Sequence, residues 1–419
     1  MPARDDTFGS VDWSEHDPRL FAVGRRTVGF AAAMAVLVAA FVYDYAVLAG
    51  EQPLVLGWDL SVLDWLFVAS LAILAFYVVV PLWRNRELTL RYWRRLRGNL
   101  LAVASLAFLV VLFLTGVFGP VVLDYLREHY GITAAHAYGN SINPHQPPWG
   151  FAVAVDIVAP VGSPELAEQY CTGEVTGGKC HGSILHPLGT TAHGRSVLTL
   201  VVTGARVAVQ IATVTAAIAV PLAVGVGTLA AEADGLLERV LTGAIDFVEA
   251  LPPFFVYLFV VVLYATKGLL LLVLVFGLLG WGGMARLVRS EALQKMQEEY
   301  VLAAESAGAS RFAVIRRHVI PNVSNTVVTA VTLYVPTVIV VEATVAYLGL
   351  DSVPGAPGRG IHRSQTSWGS AIELGIDGLP EKWWITTMPA LALLFTVLAF
   401  NLLGDALRDV LDPRLEDNE

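Results

Sequence analysis

The most reactive side chains in this 419-residue chain are its only two cysteines, Cys171 and Cys180. They lie nine residues apart in the run YCTGEVTGGKCHG, among several glycines. If this segment lies outside the cytoplasm, the spacing predicts a disulfide bond. The alternative is a metal site that adds His181 and His186 to the two thiolates. We favour the disulfide, and we predict no resident metal or cofactor.

The same run contains the beginning of a phosphate-binding loop. Gly173 to Lys179 spells G-x4-G-K, but the next residue is Cys180 and not the Ser or Thr whose hydroxyl would bind Mg²⁺. No strand is predicted before it. We therefore predict that the chain has no nucleotide site and is not an enzyme.

Three carboxylates lie within apolar stretches. Glu342 lies in an apolar stretch of the C-terminal half. An ionisable residue in an apolar stretch usually faces a cavity or a neighbouring helix. A packing or gating role and a direct contact with a substrate in a pore both remain open for it. For Asp44 and Asp64 we expect contact with water at the membrane surface, with a proton relay as the alternative.

The composition is that of an integral membrane protein. Hydrophobic residues make up 55% of the chain and charged residues only 15%, with a mean hydropathy of +0.62. A soluble domain would have about a quarter of its residues charged. The net charge of −9 argues against nucleic acid as a partner and leaves the bilayer lipid as the predicted environment.

Membrane-spanning helices must therefore position the residues above. A bilayer core about 30 Å thick needs about 20 apolar residues in a helix. We predict an all-α fold with about eight such spans, at residues 28–48, 62–83, 99–118, 205–230, 246–264, 268–285, 326–349 and 388–406.

The distribution of arginine sets the orientation. Residues 84–99 hold six arginines in sixteen positions, and residues 286–325 are also basic, whereas the connection after the first span has no Lys or Arg. Because basic connections stay on the inner side, both segments are predicted to be cytoplasmic. A multi-pass protein of the plasma membrane with both termini in the cytoplasm fits this pattern, and residues 119–200 then lie outside.

The cytoplasmic segment 286–325 is strongly patterned. Leu293, Met296, Tyr300, Ala303 and Ala307 recur at spacings of three and four, which predicts one amphipathic helix.

The segment then changes direction at a glycine. Gly308 is expected to end the first helix in the left-handed conformation, and Ser310 to cap a second, shorter helix. Pro321 is expected to end that second helix. The residues predicted to share one side of it are Phe312, Ile315 and Val319. One interpretation is a pair of helices on the membrane surface. The other is a short helix that binds in a groove of a separate protein.

This segment resembles the EAA loop of ABC importer permeases, and most closely that of the dipeptide, oligopeptide and nickel branch. The matching runs are AA-x3-G, from Ala303 to Gly308, and H-x-I-P, from His318 to Pro321. Leu302 stands where the broad motif has Glu, so no carboxylate can act there. The resemblance implies contact with an ATPase through Tyr300, Ala303, Ala304, Gly308, Ala309, His318 and Pro321.

Other runs are similar to the same branch and come in the same order. They are HPLGTTAHGRSVL at 186–198, GAR at 204–206, EATVAYLGL with Glu342, WGSAIELG at 368–375 and AFNLLGDALRDVLDPRL at 399–415. Thr191 and Ser196 replace the acidic residues usual in the first run. The resemblance implies a six-span type I permease core over 91–419, preceded by an extension, 1–90, with two further spans.

The same resemblance implies the function. The chain is expected to be the permease subunit of an ATP-driven importer, working with a second permease, two cytoplasmic ATPase subunits and an extracellular solute-binding protein. The substrate is expected to be a di- or oligopeptide, with nickel or a sugar as alternatives. From another class, an ion-gradient-driven secondary transporter or a membrane-anchored sensor also fits an eight-span chain.

Overall fold

The computed structural model describes residues 25–47, 60–130, 143–158, 167–264, 267–350 and 366–411. Long helices dominate these ranges. The first five are α1 (Arg25–Ala46), α2 (Val62–Leu74), α3 (Val80–Arg84), α4 (Arg86–Leu96) and α5 (Leu100–Tyr130). A π-helical turn, Ala75–Val79, joins α2 to α3, so the two form one continuous apolar helix.

A small mixed region follows. Its elements are β1 (Ala152–Ala154), α6 (Val155–Val158), α7 (Ala167–Tyr170), β2 (Val175–Thr176) and β3 (Lys179–His181). The strands form an antiparallel sheet in the order β1-β3-β2, in which Val153 pairs with Cys180. Because α5 continues to Tyr130, the segment predicted to lie outside at 119–200 includes the last turns of that helix.

The remaining helices belong to the C-terminal half. They are α8 (Val197–Glu232), α9 (Gly235–Ala250), α10 (Pro253–Tyr264), α11 (Leu269–Leu279), α12 (Gly282–Met296), α13 (Glu299–Ser306), α14 (Arg311–Val314), α15 (Ile320–Tyr347), α16 (Trp368–Ile376) and α17 (Trp384–Leu411).

The prediction of an all-α membrane protein with about eight spans is confirmed. The described residues contain seven helices long and apolar enough to cross a membrane, or eight if α9 and α10 count as one. The predicted span 246–264 is not one straight helix, because α9 and α10 meet at an angle of 70°. Pro252 and Pro253 explain the bend: Leu251, which precedes them, is extended, as residues before proline tend to be.

Helix α8 is the centre of the bundle, because it packs against α2, α5, α11, α12 and α15. Gly204 lets the chain approach closely, since a Cβ there would lie 2.2 Å from Cδ1 of Trp368. The indole Nε1 of Trp368 donates a hydrogen bond to the Val201 carbonyl at 3.0 Å. Tryptophan and glycine thus fix α16 against α8.

The extension is fastened to this central helix by buried polar groups. Asp64, only 8% exposed, accepts hydrogen bonds from Arg206 Nη2 at 2.8 Å and Gln210 Nε2 at 2.9 Å. Asp44 is also buried and accepts a hydrogen bond from Trp65 Nε1 at 2.9 Å. The expectation that both aspartates reach surface water is therefore wrong, because donors on neighbouring helices satisfy them.

The segment between α5 and α8 is tied to the last helix. Trp384, at the start of α17, is fully buried, and its Nε1 donates to the Thr190 carbonyl at 3.1 Å. Gly189 has a φ of +81°, and a Cβ there would lie 2.6 Å from Cδ1 of Trp384. Only glycine suits both this conformation and this contact.

Candidate functional site

The predicted coupling loop, 286–325, is a continuation of two spanning helices. It begins inside α12, which extends the span of α11, and it ends in α15. The single amphipathic helix predicted for its first half is wrong, because α12 ends at Met296 and α13 begins at Glu299. In one straight helix Val301 would point about 140° away from Met296. The break lets both face the same buried cluster.

The turn after α13 has the predicted conformation. Gly308 has a φ of +87°, and the Ser310 hydroxyl accepts a hydrogen bond from the Ala313 N–H at 3.3 Å. α14 begins one residue after Ser310.

Pro321 does not end the second helix, contrary to the prediction. A π-helical turn, Ile315–Val319, leads directly into α15, so residues 311–347 form one long apolar helix. The N–H of Ile320 bonds to the carbonyl of Ile315, which shifts the hydrogen-bond register just before the proline. Asn322 Nδ2 donates a hydrogen bond to the His318 carbonyl at 2.6 Å, which gives this carbonyl a partner. Pro321, which precedes Asn322, has no N–H to donate.

The loop rests on its own apolar core. The buried members of this core are Val288, Ala292, Val301, Val314, Val319 and Val323, and the half-buried residues packed on them are Val224, Ala231, Met296, Ala309 and Val327. Val224 and Ala231 belong to the last turns of α8, so the core joins the loop to the central helix. A unit packed in this way is expected to move with the helices it joins.

The outer surface of the loop is small and apolar. Leu302, Ala303, Ala307 and Gly308 are exposed, and no atom lies within 4 Å of a Cβ built on Gly308. Phe312 is 68% exposed, although it was predicted to lie with Ile315 and Val319, which are buried. Leu302 and Phe312 were missed as surface residues because helical periodicity does not tell which apolar side chains lie outside.

Two of the predicted coupling residues lie side by side at one end of the loop. The rings of Tyr300 and His318 have centroids 5.9 Å apart, and Asn322 Nδ2 donates to the Tyr300 hydroxyl at 3.2 Å. Asn322 was not predicted as a site residue, and it links α13 to the start of α15. Ala304 and Ala309 are half-buried, whereas Pro321 is exposed.

Ion pairs connect the loop to α8 and α9. Arg289 bonds to Glu238 at 2.7 Å, and Arg286 bonds to Asp246 at 2.8 Å and Glu249 at 2.6 Å. These pairs are partly exposed to solvent, so each contributes about 0–1 kcal/mol.

A further pair of contacts lies in a crevice beneath the turn. Arg311 lies 3.5 Å from both Glu232 and Asp234, the residues on either side of the end of α8. The crevice has a volume of about 380 Å³.

Comparison with known proteins identifies this arrangement. Residues 223–417 match the family described as the binding-protein-dependent transport system inner membrane component, and residues 88–148 match the N-terminal transmembrane domain of oligopeptide transport permease C. The dipeptide transport system permease protein DppC of Bacillus subtilis is 32% identical over 327 residues, which cover 77% of this chain and 85% of that protein. The chain belongs to the dipeptide and oligopeptide family of ABC transporter permeases.

Two further relatives agree with this assignment. The oligopeptide transport system permease protein OppC of Bacillus subtilis is 28% identical, over 80% of this chain and 91% of its own length. A putative peptide transport system permease protein of Brucella suis is 35% identical, over 55% of this chain and 74% of its own length. Family membership makes the chain a permease subunit of a peptide ABC importer, so the secondary-transporter and sensor alternatives are not retained.

The permease has two features outside the coupling loop that were predicted to matter. Glu342 is buried in α15, 21 residues beyond Pro321 and hence about 30 Å along the helix, so the structure does not bring it together with the coupling residues. The sulfur atoms of Cys171 and Cys180 are joined as a disulfide. His181 Nε2 lies 2.8 Å from the Thr176 hydroxyl, and His186 is buried separately.

One histidine of the segment between α5 and α8 has a perturbed pKa. Burial, together with the nearby positive charge of Lys382, lowers the pKa of His145 from 6.5 to about 4. The backbone N–H of His145 donates to the Thr191 carbonyl at 3.0 Å, which holds the residue against the turn that also carries Thr190. The neutral ring is therefore part of the folded segment between α5 and α8.

Proposed function

We propose that the loop formed by α12 to α15 is the element through which separate ATPase subunits drive this permease. The observation that carries the proposal is that the loop combines an exposed apolar surface with a buried core beneath it. Leu302, Ala303, Ala307, Gly308 and Phe312 face outward, while the valine core beneath them continues into α8. A protruding side chain such as Phe312 is suited to a pocket on a partner.

Movement of this loop would be transmitted directly to the pore. The loop has no flexible connection to the bundle, because α12 continues one spanning helix and α14 continues another. ATP binding to the docked subunits would shift the population between inward-open and outward-open states, and its differential affinity for the two states would supply the free energy. Glu342 is a candidate for the pore or its gate.

The proposal includes the remaining parts of the transporter. The permease itself supplies no ATPase site. It pairs with a second permease, two cytoplasmic ATPase subunits bind at the loops, and an extracellular binding protein delivers a di- or oligopeptide. Both termini and the loop lie in the cytoplasm of the cell, residues 91–419 form the type I core, and residues 1–90 are an added pair of spans.

The test is a substitution on the exposed surface. Ala307→Arg adds a bulky charge beside Gly308 without entering the valine core, so the complex should lose peptide uptake by at least about tenfold while the chain still inserts. The matched control is Gln294→Arg, because Gln294 is also exposed but lies on α12 before the break. Gly308→Val is less clean, since its φ of +87° would also strain the backbone.

Uptake and ATP hydrolysis should be measured together in the native complex reconstituted into vesicles. Normal uptake by the Ala307→Arg variant would contradict the docking role. Equal loss in the Gln294→Arg control would show that the effect is not specific to this surface.

A further inference from the structure

Helix α4 is a short amphipathic helix that lies between the ends of two spans. It covers Arg86–Leu96, immediately after α3 completes the second span and before α5 begins the third. Both neighbouring spans end or begin at this level, so α4 is held at a membrane surface. Its one buried side chain, Leu96, packs against Leu403 and Ala406 near the end of α17.

The two faces of α4 differ in chemistry. Tyr92, Trp93 and Leu96 lie on one side of α4 and Arg91, Arg94 and Arg95 on the other, with Leu88 at the boundary beside Arg95. Apart from Leu96, the apolar side is open: the exposed residues of α3 and α4 include Trp83, Leu88, Leu90 and Trp93.

The charge of this region is one-sided. Residues 83–97 hold six arginines and one glutamate, a net charge of +5. Within the part of the chain that the structure describes, Arg84, Arg91 and Arg97 make no ion pair with a carboxylate. Arg86 stacks on the Trp83 ring, with its guanidinium carbon 5.8 Å from the ring centroid.

We propose that α4 is a binding site for the headgroups of anionic phospholipids in the leaflet it faces. The apolar face enters the boundary between headgroups and acyl chains, and the arginines on the opposite face bind phosphate. Guanidinium groups bind phosphate oxygens in bidentate pairs, which suits a row of lipid phosphates. Anchored in this way, α4 sets the depth of α3 and α5 in the bilayer.

The competing occupant is the chain's own C-terminal tail. Residues 412–419 read DPRLEDNE, carry a net charge of −3 and follow directly after α17, on which Leu96 packs. The tail could neutralise the arginines. It has only Leu415 as a large apolar side chain, so it would not cover the exposed tryptophans and leucines as a bilayer does. The structure therefore favours lipid.

The experiment is a native mass spectrometry titration of the full chain in a neutral detergent, with phosphatidylglycerol and phosphatidylcholine added separately. Each arginine at an anionic surface favours the anionic lipid about fivefold. Arg91→Gln/Arg94→Gln should therefore lower the preference for phosphatidylglycerol by about 25-fold relative to the unmodified chain. The matched control, Arg91→Lys/Arg94→Lys, keeps the charge and should retain most of the preference.

Three results would overturn the proposal. The first is equal binding of both lipids by the unmodified chain. This measurement does not depend on whether any variant folds. The second is an undiminished preference in the glutamine variant, with circular dichroism matching the unmodified chain. The third is a large gain in phosphatidylglycerol binding when the chain is ended at Leu411, because that gain would identify the acidic tail as the occupant of α4.

Discussion

The contact between the extension and the core gives a sharp prediction about stability. The Asp64 carboxylate accepts hydrogen bonds from both Arg206 and Gln210. Ser61 caps the N-terminus of the same helix, and its hydroxyl lies 2.7 Å from this carboxylate. Asp64→Ala would leave a guanidinium and an amide without this acceptor inside the bundle. We expect the variant to be strongly destabilised.

The magnitude follows from burial. Removing one partner of a buried ion pair costs about 3–5 kcal/mol, because the remaining charge stays desolvated. The Arg206 side chain is 24% exposed, which places the expected loss at the lower end, about 3 kcal/mol. Asp64→Ala/Arg206→Met removes both charges and should recover at least about 2 kcal/mol of that loss, because apolar replacements of buried pairs are close to neutral.

The assay is reversible unfolding in mixed micelles, titrated with a denaturing detergent and followed by circular dichroism. Asp246→Ala is the matched control: it breaks an ion pair with Arg286, but Asp246 is 59% exposed, so the loss should be at most about 1 kcal/mol. The reasoning would be refuted if Asp64→Ala were within 1 kcal/mol of the unmodified chain, or if the double variant were less stable than the single one. By the same reasoning, deletion of residues 1–88 should destabilise the core.

Three further predictions concern the segment between α5 and α8 and the central helix. The pKa of His145 is about 4 in the folded state and about 6.5 when the segment is unfolded, so the unfolded segment binds a proton at a higher pH. The stability of the segment should therefore be full above pH 6.5 and should fall as the pH is lowered from 6.5 to 4. Hydrogen exchange should show this fall, and a smaller one in the His145→Asn variant. Non-reducing mass spectrometry should find the Cys171–Cys180 bridge, and its reduction should destabilise the segment by about 2–3 kcal/mol, whereas two freely alkylatable thiols would contradict it. Gly204→Ala should lower the midpoint of thermal unfolding, because the added methyl would lie 2.2 Å from the Trp368 ring, while the control Gly243→Ala, with no atom within 4 Å, should not.

The spans could be predicted from the sequence because long apolar runs leave few alternatives in a bilayer. The glycine turn at Gly308 and the cap at Ser310 could also be predicted, since both depend on local backbone chemistry. The break at Gln297–Glu298 could not, because it depends on where Val301 must point to reach a core formed by distant residues. Pro321 was misjudged for a related reason: the π turn before it removes the steric problem that usually ends a helix.

Buried charges show the same limit. Periodicity places Asp44 and Asp64 in apolar runs but does not reveal that Trp65 and Arg206 lie opposite them. For Arg206, the GAR run resembles a family motif, yet its partner Asp64 lies before residue 88, where the first matched family domain begins. Long-range pairing of this kind needs the fold.

The most direct test of the coupling account is a cross-link from the exposed phenylalanine of the loop. Both native cysteines are in the disulfide, so Phe312→Cys introduces the one free thiol of the chain. In sealed vesicles from cells that contain the whole transporter, we predict that this thiol cross-links to an ATPase subunit and that ATP changes the yield. The account would be contradicted if an impermeant reagent labelled this thiol from the extracellular side of the membrane and no cross-link to an ATPase formed.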